Sequence, residues 1–150
     1  MGKDSAVVHC SVPLKARHKK FVSVFGENWV LGKHLLPEME RLGERQTGVL
    51  LDLACGESPF RDCFPRIRKY IRVDSYPTDS DVIVGDMRNI PLASGSIDVV
   101  LLCQAITDVP NPIDVLREAA RVLRPGGTVI VFESMAYPEH DAPNDFYRLM

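Results

Sequence analysis

Short, nearly continuous runs of apolar residues alternate with polar segments from residue 48 onward. Continuous runs bounded by turn residues are typical of parallel strands that are covered on both faces. The alternation of such strands with helix patterns indicates βαβ units. The sequence therefore predicts an α/β fold with a doubly wound, Rossmann-like and mostly parallel sheet. The predicted strands are residues 48–53, 70–74, 81–85, 97–103 and 128–132.

Helix signals lie between these strands. A short helix is expected over residues 58–66. A stronger signal begins at Asn111, which can cap a helix, and Pro112 suits the first helical position. The Arg-Pro-Gly-Gly run at 124–127 ends this helix, because proline cannot continue it and glycine accepts positive φ. The predicted core-facing stripe consists of Ile113, Leu116, Ala120 and Leu123.

The beginning of the chain is interpreted separately. Residues 1–46 are predicted to form a helical segment that packs onto the sheet, with Pro37 breaking or starting a helix. Residues 47–150 form the core domain. Few residues follow the fifth strand, so we expect a sheet that is shortened at the C-terminus, or a fragment. The apolar positions that predict the N-terminal helices are Trp29, Leu31, Leu35, Leu36, Met39 and Leu42.

Composition describes one ordinary globular domain. The chain has 150 residues, 45% of them hydrophobic and 25% charged, and a net charge of −2, which gives no general attraction to nucleic acid or membranes. The sequence has no signal peptide and no apolar run of membrane-spanning length. We therefore expect a cytoplasmic protein. The cysteines suit a reducing compartment and lack the spacing of metal ligands; they are Cys10, Cys55, Cys63 and Cys103.

Acidic residues stand at the ends of three predicted strands. Asp52 precedes the small-residue turn 54–56, and ligands of such sheets bind beyond the carboxyl ends of the strands. A pyrophosphate gains nothing from a neighbouring carboxylate, so Asp52 favours a cationic cofactor. Asp74 is placed to accept hydrogen bonds from ribose hydroxyls. Asp86 can accept from an adenine amine while Met87 covers the base.

Together these motifs resemble the core of class I S-adenosylmethionine-dependent methyltransferases, in particular methyltransferase type 11. The resemblance runs from residue 49 to about 133, in the family's order and spacing. S-adenosylmethionine carries an ammonium and a sulfonium group, which agrees with the carboxylate at Asp52. The matching motifs are residues 51–56 (Leu-Asp-Leu-Ala-Cys-Gly), 73–74 (Val-Asp), 85–87 (Gly-Asp-Met) with 90–92 (Ile-Pro-Leu), 96–100 (Ser-Ile-Asp-Val-Val) and 123–127 (Leu-Arg-Pro-Gly-Gly).

The resemblance implies a role for each residue near the strand ends. Asp52 would contact the methionine end of the cofactor, Asp74 would hold the ribose, and Asp86 would frame the adenine. In the turn, Ala54 and Ser58 stand where the family usually has glycine. The cofactor-binding residues predicted in this way are Asp52, Ala54, Cys55, Gly56, Asp74, Asp86, Met87, Cys103 and Gln104.

The implied reaction transfers a methyl group from S-adenosylmethionine to an acceptor, which we expect to be a small molecule. An in-line displacement requires that the protein align the reactants and exclude water. It does not require a covalent enzyme intermediate. An oxygen or nitrogen nucleophile also needs a base. His140 is the predicted catalytic residue, and Asp108 and Glu133 are the other acid–base candidates. Asp98 is predicted to be structural, because it begins its strand.

Two other functions remain open at this point. One is a catalytically inactive module that binds the cofactor or a protein partner, which is expected if the chain is incomplete. The other is a nicotinamide oxidoreductase, which shares the sheet and the acid after the second strand. Its Gly-x-Gly-x-x-Gly fingerprint is missing, because Gly56 is the only glycine between residues 52 and 60. We rank the oxidoreductase last.

Overall fold

A computed structural model of the chain describes residues 29–106 and 109–133, with side chains in the first helix described from residue 35. Within these ranges a five-stranded sheet lies between two α-helices. None of the described helices has the length and apolar character needed to cross a membrane. In chain order the elements are α1 (Trp29–Gly43), β1 (Gly48–Leu53), a short 3₁₀ helix (Arg61–Cys63), β2 (Ile67–Asp74), β3 (Val82–Val84), β4 (Ile97–Cys103), α2 (Pro112–Val122) and β5 (Leu123–Phe132).

All neighbouring strands of the sheet run parallel, in the order β3-β2-β1-β4-β5. The chain proceeds outward from β1 to β3 and then returns to the other side of β1 with β4. The order therefore reverses between β1 and β4, and ligands of doubly wound sheets bind in the crevice at such a point. The predicted α/β, Rossmann-like fold class is confirmed.

The strand predictions agree well with the structure for the two central strands, β1 and β4, and less well for the others. β1 and β4 have the predicted bounds, whereas β2 begins at Ile67, three residues early. β5 begins at Leu123, directly after α2. Leu123 pairs with Ile97, and pairing then resumes between Thr128 and Val99. The Arg-Pro-Gly-Gly run is therefore an irregularity inside the strand, and residues 128–132 form its regular part.

Two apolar clusters fill the space on the two faces of the sheet, as expected for strands buried on both sides. The cluster on the α1 face contains Leu50 and Leu101 with Leu35 and Met39 of the helix. The cluster on the α2 face includes these buried residues of the strands and helix: Leu51, Leu53, Val73, Val100, Leu102, Val115, Ala119 and Val122.

The predicted core-facing stripe of α2 is wrong. Val115, Ala119 and Val122 are buried, whereas Ile113 is 51% exposed and Leu116 is 38% exposed. Of the remaining predicted stripe, Ala120 is exposed and Leu123 is half-buried. The apolar residues of α2 form two adjacent stripes, and the stripe that packs against the sheet consists of Val115, Ala119 and Val122.

The predicted helix over residues 58–66 is also wrong, since only Arg61–Cys63 forms a short 3₁₀ helix. Ser58 has a φ of +52°, which is incompatible with a right-handed helix, and Pro59 and Pro65 bracket the segment. The apolar side chains still reach the core on the α1 face. The buried residues of this segment are Phe60, Cys63 and Phe64.

Pro37 neither breaks nor starts a helix, contrary to the prediction, but lies inside α1. A proline inside a helix removes one backbone hydrogen bond and disfavours the helix. Pro37 itself is exposed, while Leu36 and Met39 on either side of it are buried against the sheet. The packing of these neighbours stabilises a helix that local propensity alone would interrupt.

Asp98 is structural, as predicted, and connects the N-terminal ends of β1, β4 and β5. Its Oδ2 accepts a hydrogen bond from the backbone N–H of Val49 at 2.5 Å, and its Oδ1 forms an ion pair with Arg124 Nε at 2.6 Å. Gly48 leaves room for this carboxylate at a φ of +92°. A Cβ at this position would lie 2.1 Å from Asp98 Oδ2.

Gly48→Ala is therefore expected to lower the free energy of unfolding by about 3 kcal/mol or more, through backbone strain and collision with a buried carboxylate. Gly95→Ala is the matched control, because Gly95 also has a positive φ but a Cβ there meets open space. It should cost about 1 kcal/mol. Urea unfolding of both variants measures the difference. Equal losses would contradict this account of Asp98.

Candidate functional site

A cavity of about 900 Å³ opens beyond the carboxyl ends of the strands. Residues that follow β1, β2, β3 and β4 line it, so it lies at the edge of the sheet where the sequence places the site. Five of the predicted cofactor-binding residues line this cavity: Ala54, Asp74, Asp86, Met87 and Gln104. The other lining residues are Val73, Ser75, Tyr76, Val84, Gly85, Arg88, Ala105, Val109 and Pro110.

Asp74 connects the end of β2 with the turn after β1. Its Oδ2 accepts a hydrogen bond from the N–H of Gly56 at 2.9 Å, and its Oδ1 accepts one from the N–H of Tyr76 at 2.9 Å. Each carboxylate oxygen has a second lone pair. Asp74 can therefore hold both loops and still accept hydrogen bonds from a ligand in the cavity. Gly56 itself is not among the lining residues but is fixed beside them.

Asp86 follows β3 and is bound by Arg88. The guanidinium of Arg88 donates to both carboxylate oxygens, with an Nη2–Oδ2 distance of 2.7 Å, and the Arg88 N–H also donates to Oδ1. These hydrogen bonds hold the pKa of Asp86 below its usual value. A ligand amine would have to share Asp86 with Arg88, an arrangement that the motif does not reveal.

Asp52, which is predicted to contact the methionine end of the cofactor, does not line the cavity, whereas Asp74 and Asp86 do. It lies beneath the turn after β1, is 5% exposed, and accepts a hydrogen bond from the Tyr70 hydroxyl at 2.8 Å. Burial raises its pKa to about 7, while hydrogen bonds from Tyr70 and Ser58 and the charge of Arg72 oppose this shift. Asp52 is therefore a buried carboxyl group that titrates near neutral pH.

The backbone of the turn after β1 adopts conformations that non-glycine residues rarely occupy. Ala54 and Ser58, which stand at the family's glycine positions, have φ angles of +53° and +52°, and Gly56 has a φ of +47°. Gln104, after β4, has a φ of +55°. Such residues cost about 1 kcal/mol or more each and are found where the surrounding structure enforces them, often at functional sites.

Buried hydrogen bonds enforce the conformation at Ser58. The hydroxyl of Ser58 accepts a hydrogen bond from Arg72 Nε at 2.8 Å, and Arg72 Nη2 donates to the Gly56 carbonyl at 2.9 Å. Arg72 lies on β2 and is 7% exposed. A glycine at position 58 would adopt this φ more easily but would lose the hydroxyl.

The loop after β4 is held from β5. Glu133 Oε2 accepts hydrogen bonds from the N–H groups of Ala105 and Ile106, both at 2.9 Å, and the Gln104 N–H donates to the Phe132 carbonyl at 2.8 Å. Glu133, one of the acid–base candidates, therefore supports the wall of the cavity through the backbone. Gln104 lines the cavity at this wall.

Two predicted cysteines lie outside the cavity lining. Cys55 is buried in the turn, and burial raises the pKa of its thiol. Cys103 packs against the core cluster on the α1 face, and burial raises the pKa of its thiol to about 12. Both side chains are therefore protonated at neutral pH and serve as packing groups.

The predicted catalytic residue, His140, lies outside the described residues, as does Asp108. Sequence reasoning missed Tyr70, Arg72 and Arg88, which bind the carboxylates and the turn. Tyr70, Arg72 and Asp74 stand two residues apart along β2, so the period of a strand places them on one face. The pairing of β1 with β2 then brings Asp52 beside Arg72. Arg88 follows Asp86 by two residues.

Comparisons with known proteins agree with this geometry. A family model described as "Hypothetical methyltransferase" (Methyltransf_8) matches residues 29–138. The protein belongs to this family of methyltransferases, which confirms the family resemblance that the motifs predict.

The chain is 35% identical over 71 residues to the ubiquinone/menaquinone biosynthesis C-methyltransferase UbiE of Roseobacter denitrificans, a match covering 47% of this chain and 28% of UbiE. It is 26% identical over 113 residues to the 25S rRNA (adenine(645)-N(1))-methyltransferase of Saccharomyces cerevisiae, covering 65% of this chain and 29% of the yeast enzyme. The crystal structure of YcgJ from Bacillus subtilis has the same fold, with a TM-score of 0.61 and 22% identity over 71% of this chain and 53% of YcgJ. The chain thus spans less than a third of each of the two curated relatives.

The buried carboxyl group of Asp52 predicts a pH dependence of stability. Its pKa is about 7 in the folded protein and about 3.9 in an unfolded chain. Between these values the folded state holds a proton that the unfolded state releases, so stability is full below about pH 4 and falls as the pH rises through about 7.

Between about pH 5 and about pH 8, the free energy of unfolding should fall by about 3 kcal/mol more in the wild type than in Asp52→Asn, which cannot ionise. Urea unfolding of both proteins at the two pH values measures this difference. Tyr70→Phe removes the hydrogen bond that favours the ionised carboxylate and should move the loss to higher pH. The same pH slope in the wild type and Asp52→Asn would show that Asp52 does not hold a proton near neutrality.

Proposed function

We propose that this protein binds S-adenosylmethionine and transfers its methyl group to a small-molecule acceptor. The observation that carries the proposal is the position of Asp74, which lines the strand-end cavity and accepts the N–H of Gly56 at 2.9 Å. Membership in a methyltransferase family supports the same reaction. The acceptor and the complete activity belong to the proposal, because the chain spans less than a third of its curated relatives.

The residues of the cavity fit an adenosyl cofactor. Asp74 offers free lone pairs to paired hydroxyl groups, and Met87 offers an apolar, polarisable surface to a purine ring. Tyr76, which is 82% exposed, adds an aromatic side chain at the same cavity. A volume of about 900 Å³ falls within the range that binds ligands of this size. Of the nicotinamide fingerprint, the turn after β1 has Gly56 alone in place of three glycines, together with the acid after β2.

The cofactor supplies an electrophilic methyl group on a sulfonium. The protein's own residues hold the two reactants in position and form the walls of the cavity around them. Asp74 orients a ligand while fixing the turn at Gly56, and Glu133 fixes the opposite wall through Ala105. Alignment of two bound reactants is the main contribution that a protein makes to such a displacement. We propose His140 as the acid–base residue for acceptors that lose a proton.

A small-molecule acceptor is favoured by the charge of the cavity. Among the described lining residues, Arg88 alone carries a positive charge, and Asp86 neutralises it in an ion pair. Recognition of a nucleic-acid backbone depends on several uncompensated basic groups. The three described cysteines are free thiols, which suits a reducing environment, so we propose that the protein acts in the cytoplasm.

Binding of S-adenosylhomocysteine tests the cofactor. The wild type should bind it in titration calorimetry, and Asp74→Asn should bind about tenfold more weakly or worse, because a carboxylate is replaced by a weaker acceptor. Asp81→Asn is the control, since Asp81 is exposed on the following loop and does not line the cavity. A folded wild type that fails to bind, or equal affinities of all three proteins, would reject the proposed cofactor site.

Transfer itself is tested with methyl-labelled S-adenosylmethionine and fractions of small-molecule acceptors. We expect label in a small-molecule product, and about tenfold less of it at a subsaturating cofactor concentration when the Asp74→Asn variant replaces the wild type. Cofactor binding without transfer to any fraction would instead favour the inactive binding module, and transfer that appears only after addition of a second protein would favour an obligate complex. Label in RNA would contradict the proposed class of acceptor.

A further inference from the structure

Arg72 connects two loops on either side of the strand-end cavity. It lies two residues before Asp74 on β2 and is 7% exposed. Its guanidinium donates to the Gly56 carbonyl at 2.9 Å and to the Ser58 hydroxyl at 2.8 Å in the loop after β1. It also donates to the Thr78 hydroxyl at 3.1 Å and to Asp79 at 2.6 Å in the loop after β2.

We propose that Arg72 is a positioning residue that preorganises both loops for the cofactor, and that Ser58 and Thr78 are its partners in this role. We call Arg72, Ser58, Thr78 and Asp79 the loop clamp. This inference rests on the proposed function, because it concerns the same cavity. The residues of the loop clamp do not line the cavity, but they hold the two loops that form part of its wall.

The clamp acts on the peptide groups of Gly56. Asp74 accepts the N–H of Gly56, whereas Arg72 and the Thr78 hydroxyl donate to its carbonyl, the latter at 3.0 Å. The residue is thus held on both sides. Gly56 and Ser58 both have positive φ angles, and a loop of this conformation remains ordered only when its surroundings enforce it.

The hydroxyl of Ser58 is the group through which Arg72 holds the loop after β1 at this residue. A glycine would tolerate the φ of +52° without strain but would offer no side chain to the guanidinium. The hydroxyl of Ser58 is buried, accepts from Arg72 Nε, and lowers the pKa of Asp52 through a hydrogen bond. A backbone conformation that glycine normally supplies is therefore enforced here by a side-chain network.

The second loop carries an aromatic residue of the cavity. Tyr76 precedes Thr78 by two residues, and its N–H donates to Asp74 Oδ1. By holding Thr78 and Asp79, Arg72 fixes the far end of the short segment on which Tyr76 stands. Arginine suits this task because its planar fork carries five donors in fixed directions, whereas lysine carries one ammonium group.

Arg72→Lys tests the clamp, since it keeps the charge and loses the fork. Hydrogen exchange of the free protein should become faster at the amides of Gly56, Ser58 and Tyr76, while the amide of Leu101 in the centre of the sheet keeps its rate. Affinity for S-adenosylhomocysteine should fall about tenfold, because the loops must then be ordered on binding.

Arg121→Lys is the matched control. Arg121 lies at the end of α2 and also donates to four described groups, namely the carbonyls of Ile90 and Leu92, the Ser94 hydroxyl and the Glu118 carboxylate. It does not line the cavity. We expect this variant to lose stability while its affinity for S-adenosylhomocysteine stays at the wild-type value.

A second pair of variants avoids the buried arginine. Thr78 is exposed, so Thr78→Val removes only the hydroxyl and Thr78→Ser retains it. The valine variant should show faster exchange at Gly56 and weaker binding, and the serine variant should restore most of both. Equal behaviour of the two would overturn the role of Thr78 in the clamp.

The results separate the clamp from the cofactor site. If the wild type does not bind S-adenosylhomocysteine, the proposed function fails, and local exchange at Gly56 still decides whether the clamp orders the loops. If the wild type binds and Arg72→Lys shows unchanged exchange and affinity, the clamp is wrong. Faster exchange at Leu101 and Gly56 alike, with affinity reduced equally in Arg121→Lys, would overturn it as well, because both changes then report general destabilisation.

Discussion

The peptide group at Gly56 is the point on which the arrangement of the strand-end cavity depends. Asp74 accepts its N–H, and Arg72 and Thr78 donate to its carbonyl. The contacts of Asp74 and Arg72 join β2 to the turn after β1, and the contact of Thr78 joins the loop after β2 to the same turn. The turn is thereby held in a conformation with positive φ angles at Ala54, Gly56 and Ser58. The Asp74 carboxylate still has lone pairs that can accept further hydrogen bonds.

The parallel sheet explains why these groups meet. β1 and β2 pair in register from Val49 to Leu53, which places Asp52 beside Arg72. Because side chains alternate along a strand, Tyr70 and Arg72 share the face of Asp52, and Asp74 lies beyond the last pair at the cavity. The buried Asp52 thus lies close to the donor groups of Tyr70 and Arg72, beneath the turn after β1.

Much of the fold was predictable from local pattern, because the central strands β1 and β4 are apolar throughout and bounded by turn residues. The errors occur where tertiary structure overrides local preference. The apolar spacing of α2 permits two adjacent stripes, and only packing against the sheet distinguishes Val115 and Val122, which are buried, from Ile113. Pro37 remains inside α1 because buried neighbours hold the helix, and positive φ at Ser58 prevents the helix expected there.

The positions of Asp74, Asp86 and Gln104 at the cavity follow from the ends of strands, which the local pattern predicts. The contacts around these residues were less predictable. Arg88 lies only two residues after Asp86, but short spacing alone does not show that the two side chains pair. The contacts of Arg72 with the loops after β1 and β2 depend on strand pairing and loop closure, which the sequence does not show.

The most direct test of the account is a crystal structure of the protein with S-adenosylhomocysteine. The account predicts the ligand in the strand-end cavity, with its ribose hydroxyls hydrogen-bonded to Asp74 and with the Gly56 peptide still bound to Arg72. A ligand bound elsewhere, or in this cavity with its ribose away from Asp74, would contradict it.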